Sequence, residues 1–543
     1  MRRITTALAL TLAAAPAAAF DLKDKTLTNP TAYIPSQCYT ATIDAEGEAH
    51  NPCSTCHVRS RAPNYIIGDA GLQLEYAFPK PALTNPWSNL FVDRTEAIAA
   101  VPDAEIDAYV AQGNYFDPDG TITLARVLND LPPEWDEDGD GEWAGYVPDC
   151  HFNFDAEGFD HAPDGTPTGW RAFAYVPLPG GFWPTNGSTD DVLIRLADPF
   201  RTTEDGTYDR EIYKVNLAIT EALILRADVT IDPADETRLG VDLDKDGTLG
   251  TAERVAYDWA PLEGRIMSWV GAAKGEGLAA GLFPLGTEFL HTVRYIDVSS
   301  GEVAMAPRIK EVRYGVKTLW QSYADLEVGG LLEAKERADF PDRIAMFEGS
   351  LEEGIYNGMG WRYQAFIEDA EGDLRPQSFE ETVFCMGCHG GVGVTDDAAF
   401  AFPRKLPADS AHARGWYHWT QKSLAGTPEP FRADGRRELL TYLEENGAGD
   451  EFRNNSEVIQ RFLDARGEVR PEAAAALKDD ISVLLFPSAE RARTLNKAYR
   501  EIVREQSYIK GRDAVAAPAQ NVHREVEPNQ PTGVEQPTPA SLW

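Results

Sequence analysis

Cys385-Met386-Gly387-Cys388-His389 is the segment that sets the reading of this chain, and its pattern recurs far upstream as Cys53-Ser54-Thr55-Cys56-His57. Two thiols three positions apart reach both vinyl groups of one porphyrin, and the adjoining histidine turns beneath the ring to ligate the iron. C-x-x-C-H is therefore the attachment signature of a c-type haem. Two copies predict two covalently bound haem c groups, on Cys53 and Cys56 with His57 as proximal ligand, and on Cys385 and Cys388 with His389. A C-x-x-C pair can also be a redox dithiol or half of a zinc cluster. Both copies carry the histidine, however, and the chain has no further C-x-x-C pair to complete a zinc cluster.

Over these ten residues the chain resembles the c-type cytochromes. The resemblance implies a dihaem cytochrome that transfers electrons between redox partners, with both haems built into one large body. A runner-up resembles the dihaem peroxidases and oxygenases, with one haem relaying electrons and the other open for catalysis. Cys53 and Cys385 stand 332 residues apart (385 − 53), a departure from the compact tandem domains of that group. A third reading is an exported, calcium-stabilised binding protein whose haems sense redox state or a ligand.

The sixth position on each iron separates these readings, because two strong ligands close the metal and one leaves it open. Methionines stand at 1, 267, 305, 346, 359 and 386, so none lies between the first motif and Met267 and none follows the second. Neither motif begins a small self-contained His/Met domain. The candidate distal ligands are His291, on an expected strand, His418 and His412 after the second motif, and His151 beside Cys150. His50 and His161 follow, with His523 last. Long-range ligation by Met267, Met305, Met346 or Met359 and an open iron both stay available.

The chain begins MRRITTALALTLAAAPAAAF, two arginines before an apolar run that ends in small residues, which is the layout of a secretory signal cleaved near Ala19. No later stretch has the uninterrupted apolar length of a membrane span. An exported, soluble, periplasmic protein is expected. Subtracting the four motif thiols from six cysteines leaves Cys38 and Cys150. In an oxidising compartment these favour one disulfide, against two buried free thiols. The formal charge of −37 becomes −39 without Arg2 and Arg3. Such acidity argues against a nucleic acid or an anionic membrane as partner and suits a basic protein.

Asp242-Leu-Asp-Lys-Asp-Gly-Thr-Leu-Gly-Thr-Ala-Glu253 resembles an EF-hand loop. The resemblance places Asp242, Asp244 and Asp246 at positions one, three and five, Gly247 at the sharp turn, the Thr248 carbonyl at seven and Glu253 at twelve, with calcium bound in a structural role. TAERVAYDWA is the expected following helix. Asp136, Asp138 and Asp140 in DEDGDGEW offer a second calcium site that lacks a carboxylate at position twelve, where Val147 stands.

The expected fold class is α+β: a mixed, multi-segment fold with a β-rich middle, short helices around the two haems and a helical C-terminal part. Its segments are a signal peptide over 1–19 and an N-terminal haem-binding region over 20–165. A central region with the calcium loop spans 166–375, and the second haem-binding segment spans 376–428. Helices fill 429–512, and the Ala/Pro/Gln/Asn-rich 513–543 reads as a disordered tail. No internal repeat beyond the two motifs is expected.

Overall fold

A computed structural model describes residues 27–258, 267–407, 413–447 and 454–541. Its architecture is α+β, centred on a ten-stranded sheet. The strands in chain order are β1 (Glu75–Tyr76), β2 (Phe159–His161), β3 (Pro167–Ala172), β4 (Thr189–Asp190), β5 (Leu193–Arg195), β6 (Val229–Asp235) and β7 (Thr251–Val255). They continue as β8 (Glu288–Asp297), β9 (Ala304–Lys317), β10 (Glu348–Ser350), β11 (Gly354–Tyr356), β12 (Trp361–Glu368), β13 (Leu374–Pro376) and β14 (Gln530–Pro531). The large sheet runs β10-β11-β12-β9-β8-β5-β3-β2, with β13 also pairing β12 and β4 also pairing β8.

Its spine is the antiparallel pair β8 and β9, in which His291 lies opposite Arg313 and Leu290 opposite Tyr314. Val293, Tyr295, Ile309 and Val312 are buried on these strands. Branched and aromatic side chains of this kind fit a pleated surface covered on both faces. Residues 306–345 read as helix-like charged text; Tyr323–Asp339 is a helix, but the stretch up to Lys317 belongs to strand β9, where Lys310, Glu311 and Lys317 are buried among partners rather than spread over a helix surface.

The helix Arg210–Leu225 starts where the Asp209 carboxylate accepts the Glu211 and Ile212 amides, and it ends at Arg226 in the left-handed region. It is buried nearly all round, as its run of Ile, Val, Leu and Ala requires. The helix Ala489–Glu505 buries one stripe, Leu495, Ala498, Tyr499, Ile502 and Val503. From its other side Arg493, Lys497 and Arg500 reach Asp107, Asp103 and Glu105 of the helix Asp103–Ala111.

The segment from 513 is folded, not a disordered tail. Ala514, Val515, Val522 and Val526 are buried, Thr40 bridges Val522, and β14 pairs β1 antiparallel. The few apolar residues in this polar text are the ones that seat it.

A short internal repeat is also present. At Gly47, Gly120, Gly158, Gly165, Gly206, Gly372, Gly435 and Gly467 one five-residue turn recurs. Its first residue exchanges backbone bonds with the glycine and with the fifth residue, as in Asp117 N–H to the Thr121 carbonyl and Gly120 N–H to the Asp117 carbonyl. An aspartate at the first position (Asp44, Asp155, Asp369, Asp464) or the third (Asp119, Asp164, Asp205, Asp434) accepts the fifth amide. The glycines hold φ between +79° and +98°, which is why glycine fills that position.

Candidate functional site

The two C-x-x-C-H segments take the same local turn. In each, the second cysteine and the histidine donate their amides to the carbonyl of the first cysteine, at 3.2 and 2.9 Å in Cys53–His57 and at 3.2 and 3.0 Å in Cys385–His389. The first copy lies on the 3₁₀ turn Pro52–Thr55, capped by the Asn51 side chain. The second follows the helix Phe379–Val383, which Ser378 and Glu381 start with a reciprocal capping box.

The fold brings the copies together. Val394, just past the second motif, donates its amide to the Cys56 carbonyl at 3.1 Å, and Asn64 spans the Val392 and Thr395 carbonyls. Asp69 joins them directly: one carboxylate oxygen meets His57 Nδ1 at 3.1 Å and the other accepts the Gly393 amide at 2.9 Å. A Cβ on Gly393 would stand 2.1 Å from the Val58 carbonyl, so the contact requires glycine.

Each motif histidine has its Nδ1 fixed, His57 by Asp69 and His389 by the Ala398 carbonyl at 2.9 Å. Both hydrogen bonds engage Nδ1 rather than Nε2, as the second partner of a metal-binding imidazole does. Burial pushes His389 down to about 4, so it is neutral at pH 7. Burial likewise raises the thiols of Cys56 and Cys388, the latter to about 11, with Arg313 opposing the rise at Cys388.

Cys38 belongs here too. It feels Cys53 and Cys388 electrostatically, whereas Cys150 is buried in a separate core with Tyr115 and Tyr146. Cys38 and Cys150 are both free thiols, and the expected disulfide is absent.

Of the four ranked distal candidates, the structure brings His291 toward a motif, within electrostatic reach of His389, while its own Nε2 meets Asp190 at 3.0 Å. His418 has both nitrogens engaged, Nε2 with Asp191 at 2.9 Å and Nδ1 with the Thr420 hydroxyl at 2.7 Å, so it offers no ligand atom. His151 stacks on Phe116 beside the Cys150 core. His412 lies outside the described residues.

The acidic loops differ from their EF-hand register. The expected helix after Gly250 is β7, in which Ala252 and Val255 are buried against β6 and Glu253 is exposed. The carboxylate that joins Asp242 and Asp244 is Glu236, buried to 1 % exposure, and the three lie with oxygens within 4.8 Å of one another. Glu236 accepts the Gly250 amide at 2.8 Å, while Asp242 Oδ2 accepts Gly247 and its Oδ1 is buried without a partner. Asp246 is taken up by the Thr248 amide and hydroxyl. In the other loop, Asp136 and Asp138 gain the missing carboxylate from Glu352, some two hundred residues on, while Asp140 holds the Glu142 amide. Asp69, Glu236 and Glu352 are the residues that sequence reading missed, and no fixed spacing from their partners announces them.

Among the described residues no helix is long and apolar enough to cross a membrane. Over residues 22–480 the chain matches a family model described as a "-like lipoprotein". It is similar to an uncharacterized lipoprotein of Aquifex aeolicus (strain VF5), 32% identical over 89% of this chain and 86% of that one. No solved structure matches. These findings overturn the cytochrome resemblance, and with it electron transfer between redox partners and the dihaem peroxidase or oxygenase alternative. The resemblance rested on ten residues, whereas the family match spans the scaffold, and neither the family's description nor the relative's names a cytochrome or an oxidoreductase. The chain belongs to this lipoprotein family.

Proposed function

We propose that this chain is an exported, calcium-stabilised binding protein of the lipoprotein family, acting in the periplasm, with two haem c groups attached at its paired C-x-x-C-H motifs. The observation that supports it is the anchoring of both motif histidines through Nδ1, by Asp69 and by Ala398, which points each Nε2 lone pair as a metal ligand. Cys53, Cys56, Cys385 and Cys388 would hold the porphyrins, and haem bound there would supply an iron able to bind a small ligand. The chain's own part is to fix the imidazole tautomers, keep His389 neutral and press the two motifs together through Asp69 and Gly393.

The test is the intact mass and iron content of the exported protein. Two haem increments, two irons per chain and four cysteines refractory to alkylation are expected. Alkylation of all six cysteines in the exported protein would sink the reading.

Calcium would be held by Asp242 and Asp244 with Glu236, and by Asp136 and Asp138 with Glu352, whose carboxylate oxygens lie within 4.8 Å of one another in each group. A ligand that binds only the folded state at a hundred times its Kd adds about 2.7 kcal/mol. Calcium is accordingly expected to raise the melting temperature and EGTA to reverse it. The Glu236→Gln variant should lose most of that response, and an unchanged melting temperature on calcium addition would refute the assignment.

A further inference from the structure

Just past the second motif, one turn holds a backbone conformation that its own sequence does not select. Asp396 and Ala399 exchange two backbone hydrogen bonds, at 3.1 and 2.9 Å. The residues between them, Asp397 and Ala398, have φ of +50° and +58°. A type I′ turn needs positive φ at both central positions, which Asn-Gly or Asp-Gly supplies without strain. Alanine at the second position has a Cβ that disfavours the left-handed region. Such a conformation persists where the surrounding structure imposes it.

Here the surroundings are two sets of buried charges. Asp396 is buried, and its carboxylate receives Arg61 at 2.5 Å and Arg226 at 3.1 Å. Arg61 lies in the loop that follows the first motif, and Arg226 closes the helix Arg210–Leu225. Asp397 is buried as well, and its Oδ2 receives the Lys317 ammonium and, at 2.8 Å, the Phe283 amide. Lys317, the last residue of β9, is itself buried, so neither charge of that pair is stable without the other. These ion pairs fix the first half of the turn. Its second half delivers the carbonyl of the fully buried Ala398 to His389 Nδ1 at 2.9 Å, and the same imidazole packs on Tyr363. A carbonyl only accepts, so this contact requires the His389 proton on Nδ1.

We propose that the 396–399 turn is a strained clamp that holds His389 in its Nδ1–H tautomer, with Asp396 and Asp397 as positioning residues acting through the Ala398 carbonyl. Through Arg61 the clamp takes one anchor from the loop beside the first motif, a tie separate from Asp69. The inference deepens the haem reading and rests on it for the ligand role of His389. The clamp itself is tested on the haem-free chain, so the two can fail separately.

The experiment is nitrogen-15 NMR of the full, haem-free chain at neutral pH with labelled histidine, reading which imidazole nitrogen carries the proton. His389 is expected to be protonated on Nδ1 alone. Asp397→Asn removes the charge that Lys317 holds, and should lower the ratio of the Nδ1–H to the Nε2–H form about fivefold, the worth of about one hydrogen bond. Arg61→Ala, at the half-exposed end of the clamp, should lower it about twofold. His57, bonded to Asp69, is the internal control and should not change. If Asp397→Asn does not fold, the double variant Asp397→Asn with Lys317→Met leaves no unpaired charge at that pair and carries the same test. A parent His389 protonated on Nε2 overturns the clamp, as does an unchanged ratio in the folded Asp397 and Arg61 variants. A parallel change at His57 would mark a general loosening of the fold and overturn it too. An intact clamp in a chain that takes up no haem would leave the clamp standing and refute the haem reading.

Discussion

Cys53–His57 and Cys385–His389 share one backbone turn and differ in almost everything around it. The first is carried by a 3₁₀ turn between loops, both its cysteines are partly exposed, and a carboxylate holds its histidine. The second sits at the end of a capped helix, its Cys385 is buried, and a backbone carbonyl holds its histidine. Tyr363 and Phe400 stand 4.8 and 5.7 Å from the His389 ring. A pentapeptide therefore dictates its own turn, while burial decides what that turn is worth to the fold.

The contrast is tested most strongly at the sulfurs. The pair Cys385→Ser and Cys388→Ser puts one hydroxyl into a buried position and one into a half-buried position near Arg313. Made in the haem-free chain, it should cost about 2–4 kcal/mol, since each buried hydroxyl without a partner costs about 1–3 kcal/mol. Cys53→Ser with Cys56→Ser, closer to solvent, should cost less than half as much. Denaturant midpoints of the two double variants read the difference, and equal midpoints would break the comparison.

The next effect is a pH dependence at the second motif. His389 is held at about 4 by burial, against 6.5 in the unfolded chain. Between these values the unfolded chain binds the extra proton. Stability of the haem-free chain is therefore complete above about pH 6.5 and falls as pH drops toward 4, by about 3 kcal/mol at full shift. His389→Gln should flatten that acid limb. An acid limb as steep in the variant as in the parent would show that another group produces it.

The same division between local and long-range information runs through the whole chain. The α+β class and the strand at 288–297 that carries His291 were legible because periodicity is a local signal. The charged stretch 306–345 was legible only in its later part, the helix Tyr323–Asp339; up to Lys317 the same charges suggested a helix surface, and tertiary pairing with β8 and β12 buried them instead. The eight Asp/Gly turns were legible and unread: each carries Gly at the fourth position, but the capping Asp stands at the first in some and the third in others, and the remaining residues vary. In the candidate site, the cysteines and motif histidines announced themselves. Asp69, Ala398, Glu236 and Glu352 did not, because a buried partner supplied from elsewhere in the chain leaves no spacing to find. The ten motif residues also proved too few to identify the family, which a match over 22–480 did.

Asp69 is where the two motifs are compared most finely, because it belongs to both: one oxygen serves His57 and the other serves Gly393, next to the second motif. Asp69→Asn keeps the size and replaces one acceptor with an amide donor. The amide group can accept from the Gly393 N–H or from His57, and its NH₂ then faces the remaining donor. One charge-assisted bond is lost, which is worth about 1.5–3 kcal/mol at a buried site and toward the lower end here, because His57 is partly exposed. The expected outcome is a destabilisation of about 1–2 kcal/mol, smaller than the buried sulfur pair produces. Native-state hydrogen exchange should localise it: faster exchange at the Gly393 and Val394 amides, with the amides of the helix Phe379–Val383 unchanged. If exchange quickens through that helix as well, the two motifs form one cooperative unit and the contrast drawn between them fails. If only the His57 side loosens, Asp69 orients a ligand rather than joining two motifs.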